Sequence, residues 1–322
     1  MNSASAKKPL DLLFVGPSRL VENIQSAIPN HWHARFVESF EEFFKNPEDV
    51  TRILDASIRE VLDLGVKEFR LVRHVACAST GTNHIKHRLN DEEPVKVSSL
   101  RDIPDVLNTL TAAAEFSFGL LISLARNIVH SSKSVESGEW NRSMFGGAVL
   151  RGKNLGIIGL GRIGSAMEMY GKAFGMNVGY FDPFVKVSQV GTLKYERIED
   201  LLIQSDFVSL HVPYVPKTQK QPLITKEHFS LFKAGSFFIN TSRGELVEEE
   251  GLVWALEIGK IRGAAVDVLN NEPNIFKNPL FLYSLRPDSN VIITPHIAGY
   301  ATENLEIATS GILSYLLSDK MV

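Results

Sequence analysis

Leu155-Gly-Ile-Ile-Gly-Leu-Gly-Arg-Ile-Gly164, preceded by Arg151-Gly-Lys-Asn154 and followed after residue 177 by Val178-Gly-Tyr-Phe-Asp-Pro183, is the stretch whose reading decides the fold. Residues 155–158 are apolar and β-branched, with the length of a buried strand. Gly159, Gly161 and Gly164 follow in a G-x-G-x-x-G pattern. Residues 165–174 predict a helix, with Ile163, Met167, Tyr170 and Phe174 on one stripe. Residues 178–181 predict a second strand, ended by Asp182-Pro183.

Each residue type has a task in a strand–turn–helix of this kind. Gly159 lets the chain turn off the strand. Gly161, without a Cβ, lets a pyrophosphate approach the backbone at the helix N-terminus, and Gly164 lets helix and strand pack closely. Asp182 lies near the distance at which an acid accepts bonds from a ribose 2′-hydroxyl and repels a 2′-phosphate, which selects NAD over NADP. An NADP-dependent reductase would need a base there; Lys186 is the nearest and follows Pro183.

The 322 residues suffice for two domains of ordinary size, and 44% hydrophobic with 22% charged residues is the balance of a globular chain. A net charge of −3 gives no electrostatic case for nucleic acid or an anionic membrane. The one cysteine, Cys77, excludes an internal disulfide and lies in an apolar run as a small buried residue. No run is read as transmembrane and no signal peptide is recognised, because Asp11 interrupts the run 10–15 and no small-residue cleavage site follows; a reducing, cytoplasmic setting is expected.

Outward from the glycine motif, strands are expected at 207–210, 236–239, 263–266 and 291–293, with helices at 197–204, 225–231 and 248–258. With the two strands above, that makes six parallel strands in a doubly wound sheet. Towards the N-terminus, strands at 10–15, 34–37 and 69–76 and helices at 19–27, 40–45 and 51–64 predict another α/β lobe. Residues 89–105 are polar and carry the crossing. Residues 111–129 predict a long helix, apolar nearly all round and therefore buried between domains or subunits. Residues 131–147 form an arm whose Trp140, Met144 and Phe145 suit either a dimer contact or a satellite core. Residues 301–317 predict a helix that folds back on the first lobe.

Ligands in such a sheet sit outside the C-terminal strand ends. The residues there are Asp182; His211-Val212-Pro213; Thr241-Ser242-Arg243-Gly244; Asp267; Glu272-Pro273; and Thr294 to Gly299. Arg243 offers a planar fork that matches a carboxylate. Histidine titrates near neutrality, so His296 can exchange a proton, and a carboxylate such as Glu272 favours the charged imidazole. Beside a nicotinamide these make a hydride-transfer set: His296 moves the hydroxyl proton, while Arg243 fixes the acid group and polarises the carbonyl. Taken singly, each also has a plain structural role as a strand-end histidine, a turn or a loop closure. His31/His33 and His84/His87 have spacings that a metal could use, but no Cys or acid cluster accompanies them in sequence, and no metal is expected. His211 is expected to line the cofactor cleft through its backbone.

These motifs resemble the D-isomer-specific 2-hydroxyacid dehydrogenase family from about Val75 to Leu317. The similarity rests on Leu155–Gly164, Asp206-Phe-Val-Ser-Leu-His-Val-Pro213, Ile239-Asn-Thr-Ser-Arg-Gly244, Ala265-Val-Asp-Val-Leu-Asn-Asn-Glu-Pro273 and Thr294-Pro-His-Ile-Ala-Gly299. The resemblance implies two Rossmann-like doubly wound domains with the active site in the cleft between them. Residues 1–108 and 294–322 would form the substrate lobe. Residues 109–293 would form the NAD-binding lobe, including the long helix and arm of a homodimer. It implies Arg243, Glu272 and His296 as the catalytic set. Gly159, Gly161, Arg162, Ile163, Gly164, Asp182, His211, Val212, Pro213, Thr218, Thr241, Ser242, Asp267 and Gly299 would meet NAD. The loop Ser79-Thr80-Gly81 would hold the substrate carboxylate through its amides. The substrate is expected to be a small 2-hydroxy or 2-keto acid. The loop 79–84 and the run 95–114 look more like the phosphoglycerate-dehydrogenase-like branch, and no regulatory domain is expected after Leu317. An alternative from another class is a non-catalytic NAD-sensing binding protein of this fold, like the corepressors related to the family.

Overall fold

The computed structural model describes residues 8–57, 60–82, 84–86, 94–215 and 218–318. Asn83, the stretch 87–93 that includes His87, and most of the N-terminal tail lie outside them. The chain divides into two compact units, Met1–Leu110 with Ala301–Val322, and Thr111–Tyr300.

In the first unit, β1 (Leu12–Val15), α1 (Val21–Ala27), β2 (Ala34–Val37), α2 (Phe40–Lys45) and β3 (Arg52–Asp55) lead to a short pair, β4 (Leu62–Asp63) and β6 (Ile85–Lys86), that brackets β5 (His74–Cys77) in sequence. β7 (Lys96–Ser98) and α3 (Pro104–Leu107) follow. The main sheet is parallel, in the order β2-β1-β3-β5-β7. The helix expected over 51–64 is not there. Ile53, Leu54 and Asp55 are buried as a central strand paired on both edges, and two apolar residues between Arg52 and Asp55 are too few to show a strand period against the helical spacing of the longer run. β7 was hidden in the polar crossing because a three-residue edge strand carries little pattern. The C-terminal helix α11 (Thr302–Ser318) packs Leu305, Ile312 and Leu316 into the first unit's core, on the sheet face that carries Leu12 and Phe14. The end of the chain thus belongs to the unit formed by its beginning.

The second unit opens with α4 (Ala112–Ala125) and α5 (Ile128–Glu136). The single long helix expected here breaks at Asn127, whose φ of 53° is left-handed, a conformation asparagine tolerates. The first six residues of the expected arm, 131–136, thus belong to α5. Among the described residues, Pro104–Ala125, 22 residues, is long and apolar enough to cross a membrane by length and composition, which corrects the expectation of no such run. Its regular part, α4, has only 14 residues and buries Phe118, Leu121 and Leu124 in the core, the behaviour of a buried helix.

The remaining elements are β8 (Asn154–Ile158), α6 (Arg162–Ala173), β9 (Asn177–Phe181), β10 (Leu193–Lys194), α7 (Ile198–Gln204), β11 (Phe207–Leu210), α8 (Lys226–Leu231), β12 (Ser236–Asn240), α9 (Glu249–Glu257), β13 (Ile261–Val266), α10 (Pro279–Ser284) and β14 (Val291–Ile293). The sheet is parallel with order β10-β9-β8-β11-β12-β13-β14, one strand more than expected because the two-residue β10 adds an edge. One face packs Phe118, Leu121 and Met167 from α4 and α6; the other packs Leu201, Phe229 and Leu252 from α7, α8 and α9. The order reverses between β8 and β11, so their C-terminal ends form the switch point at which ligands bind.

Candidate dinucleotide and active site

The glycine motif sits at that switch point. Gly159 has φ +90°, and a Cβ there would stand 2.5 Å from the His211 carbonyl oxygen and 2.7 Å from Val212 Cγ1. The end of β11 therefore lies directly against the turn. A Cβ on Gly164 would overlap the Gly159 oxygen, so helix and strand approach as the motif requires. Gly161 caps the N-terminus of α6 with open space around it, which leaves the helix amides accessible to an anion. Arg162 and Ile163, both half-buried, form its first turn.

Asp182 is buried and holds this turn. Its Oδ2 accepts the Leu160 amide at 2.8 Å, and its Oδ1 accepts the amides of Phe184 at 2.8 Å and Val185 at 3.0 Å. A carboxylate has about four acceptor positions, so these bonds leave room for a ribose hydroxyl. The residues present fit a dinucleotide: a positive-φ turn, an open helix N-terminus and an acid with an acceptor position to spare.

His211 is buried, with Nε2 2.7 Å from Ser209 Oγ. Burial drives its pKa down to about 3, so it stays neutral and no proton-transfer role falls to it. Thr241 Oγ1 lies 2.6 Å from Ser117 Oγ, which donates to the Ala113 carbonyl, tying α4 to the end of β12. Ser242 Oγ donates to the Leu210 carbonyl at 2.7 Å. Pro213 and Thr218 are exposed, and Thr218 donates through its amide and hydroxyl to the Val215 carbonyl.

Arg243, Glu272 and His296 follow β12, β13 and β14, three neighbouring strands. His296 Nδ1 lies 2.6 Å from Glu272 Oε1, so Nδ1–H donates to the carboxylate and proton exchange with a substrate falls to Nε2. Asn271 and His296 both have left-handed φ, 62° and 57°. The half-buried Arg243 uses Nη1 for its neighbour's carbonyl, Ser242 O, at 2.6 Å.

Asp267 is engaged within the protein. Fully buried, it accepts Thr294 Oγ1 at 2.5 Å and the Ile297 amide at 3.0 Å on Oδ1, and the Ala298 amide at 2.7 Å on Oδ2. It clamps the turn that carries His296. Burial raises its pKa against these bonds, which pull the other way. Gly299, just beyond, is exposed with open space around it.

Residues 118–298 match the D-isomer specific 2-hydroxyacid dehydrogenase, NAD binding domain. The chain belongs to the D-isomer specific 2-hydroxyacid dehydrogenase family. It is 34% identical over 277 residues to a D-3-phosphoglycerate dehydrogenase of Methanocaldococcus jannaschii, covering 85% of this chain and 50% of that protein. It is 35% identical over 267 residues to a glyoxylate reductase of Thermococcus litoralis, covering 80% and 75%. A D-lactate dehydrogenase from Aquifex aeolicus, solved with NAD and lactic acid, is similar with TM-score 0.71 and 25% identity, covering 95% of this chain and 94% of that one. The chain spans about half the length of the phosphoglycerate dehydrogenases of M. jannaschii and Haemophilus influenzae, 50% and 55%.

In the first unit, Ser79 Oγ donates to the Gly81 carbonyl at 2.8 Å, and Ser79, Thr80 and Gly81 are half-buried after β5. His84 is not isolated, as its sequence neighbours suggested. Asp55 at the end of β3 and Cys77 at the end of β5 lie with it, their ligand atoms all within 4.8 Å of one another. His84 Nε2 bonds Asp55 Oδ2 at 2.7 Å, and burial pushes the Cys77 thiol far above its ordinary range.

Proposed function

We propose that this chain is an NAD-dependent oxidoreductase that interconverts a small 2-keto acid and its D-2-hydroxy acid. The carrying observation is the 2.6 Å bond from His296 Nδ1–H to Glu272, which fixes the ring's tautomer and orientation and assigns proton exchange with the substrate oxygen to Nε2. In the reductive direction Nε2–H gives its proton to the carbonyl oxygen as the carbon is reduced; in the oxidative direction Nε2 takes the hydroxyl proton. Glu272 keeps the ring oriented and stabilises its charged form. Arg243 pairs with the substrate carboxylate and polarises the adjacent carbonyl. NAD(H), when bound, supplies or accepts the hydride; Gly159, Gly161 and Gly164 admit its pyrophosphate at the start of α6, and Asp182 takes the adenosine ribose. The similarity to phosphoglycerate dehydrogenases and to a glyoxylate reductase supports a two- or three-carbon acid.

A homodimer through α5 and the arm is part of the proposal. It is supported by the run of exposed apolar side chains Ile128, Val135, Trp140, Met144 and Val149, with Trp140 90% exposed. Light scattering after gel filtration tests it. A cytoplasmic setting fits the single, buried, free thiol.

NADH oxidation at neutral pH with glyoxylate, hydroxypyruvate, pyruvate, 2-oxoglutarate and phosphohydroxypyruvate tests the activity. Turnover of one of them is the expected result and names the substrate class. Tight NADH binding without turnover of any would favour an NAD-sensing binding protein.

A further inference from the structure

The segment Asn270–Asn278 carries Glu272, yet it has no regular structure of its own between β13 and α10. It is fixed at both ends by one side chain. Glu249, in the first turn of α9, is 4% exposed, whereas its neighbour Glu250 is exposed. Glu249 Oε1 accepts the Asn270 amide at 2.9 Å, and Oε2 accepts Asn278 Nδ2 at 2.5 Å. Asn278, itself 6% exposed, caps α10 through Oδ1, which accepts the amides of Leu280 at 3.0 Å and Phe281 at 3.1 Å. The near end of the segment also packs against the Arg243 turn: a Cβ on Gly244 would overlap the Leu269 carbonyl carbon and the Asn270 nitrogen.

We propose that Glu249 is a positioning residue for the His296–Glu272 pair: its buried carboxylate clamps both ends of the Asn270–Asn278 segment and so sets where Glu272 meets the imidazole. The physical case is one of cost. A buried carboxylate is expensive unless every lone pair directed into the protein is used, and here both oxygens are engaged by the two ends of one loop. A loop of nine residues with no ladder of its own has many alternative paths, and fixing its ends removes most of them. Glu272 lies two residues from the Asn270 anchor, too close to move independently of it. Asp267 clamps the turn that carries His296 in the same way, so the pair is held from both sides by buried carboxylates.

This assignment rests on the dehydrogenase reading for its kinetic arm only. Glu249→Gln keeps an acceptor for the Asn270 amide but sets an amide NH2 against Asn278 Nδ2, donor to donor. Asn278→Asp alone sets carboxylate against carboxylate. The double variant Glu249→Gln/Asn278→Asp restores one donor facing one acceptor and keeps an α10 cap. Each single variant is expected to lower kcat about 10- to 100-fold, as displaced catalytic groups do, with NADH affinity unchanged, and the double variant to recover most of the loss. The downfield NMR proton resonance of the His296 Nδ1–H to Glu272 bond should broaden or vanish in Glu249→Gln, as in Glu272→Gln, and return in the double variant. A Glu249→Gln protein that keeps this resonance, or a folded double variant no better than the singles, would overturn the assignment. A wild type that shows the resonance but reduces no 2-keto acid would sink the dehydrogenase reading, while the resonance still reports on Glu249.

Discussion

Replacing Asp267 with asparagine tests whether the His296 turn is held or merely present. The carboxylate is 0% exposed and accepts three bonds, from Thr294 Oγ1, the Ile297 amide and the Ala298 amide. Asparagine has one oxygen. Turned to keep Thr294 and Ile297, it sets its NH2 against the Ala298 amide and orphans a buried donor, at a cost of about 1–3 kcal/mol. The opposing effect is relief: burial raises the Asp267 pKa, so its charged form is disfavoured in the fold, and a neutral amide avoids that cost. The relief offsets part of that cost, so the destabilisation in a urea melt at pH 7 is expected to stay below the about 1–3 kcal/mol of the orphaned donor. Activity should not follow stability. With the Ala298 amide released, the turn that carries His296 at its left-handed φ of 57°, a conformation costing about 1–3 kcal/mol, keeps only two of its three bonds to Asp267. Relaxation by about 1 Å carries the imidazole away from Glu272, and kcat should fall roughly 100-fold while NADH still binds. The pH dependence has a definite sign. Because the folded pKa lies above the unfolded value, the contribution of Asp267 to stability is full below the ordinary carboxylate range and is lost as pH rises through its raised value. The Asp267→Asn protein would lack that loss. Wild-type kcat in a stable Asp267→Asn protein would refute the clamp.

Three further outcomes follow from the same geometry. With a folded pKa of about 3 against 6.5 for the free residue, His211 binds its proton more readily in the unfolded chain, so its contribution is full above pH 6.5 and lost as pH falls towards 3. The full loss amounts to roughly 5 kcal/mol, of which roughly 3 falls between pH 7 and pH 4, and His211→Gln should flatten it; urea midpoints at pH 7 and pH 4 that change as much in the variant as in wild type would remove the assignment. Gly164→Ala drives a methyl group into the Gly159 oxygen, forces α6 off β8, and should weaken NADH at least tenfold by calorimetry at a stability cost of about 1–3 kcal/mol. Asp182→Ala should weaken NADH more than NADPH, and equal losses would take Asp182 away from the ribose.

The second unit was legible because its signals are local. The β8–α6–β9 run has its turn chemistry, its helix stripe and its acid within one short span, and each strand end carries its polar residues immediately after an apolar run. The first unit was harder for a physical reason. Ile53 and Leu54 belong to a central strand whose neighbours β1 and β5 are supplied by distant parts of the chain, and two apolar residues between Arg52 and Asp55 are too few to show the period that would have marked a strand. The break at Asn127 was likewise hidden, since an apolar run shows that a segment is buried but not where its helix ends.

The residues that hold the site were the least legible. Glu249 sits in Glu248-Glu249-Glu250, which reads as acidic charge at a helix N-terminus. One clue was available: Glu249 falls three and seven residues before Leu252 and Leu256, on the buried stripe of α9, where an acid needs partners. Asp267 was picked out by its strand-end position, but the position could not say that its bonds run to the turn after the next strand. Composition marks which side chains have proton-transfer or anion-binding chemistry, and Arg243, Glu272 and His296 could be found that way. It does not mark which carboxylates are engaged inside the protein. A dyad at 2.6 Å whose histidine has a left-handed φ cannot hold itself in place: the two residues come from different loops, and a hydrogen bond between them contributes about 1 kcal/mol net, no more than the backbone strain costs. The geometry persists because Asp267 and Glu249 each tie a loop down through buried bonds, and that is why a neutral isostere at either position should cost far more in kcat than in stability.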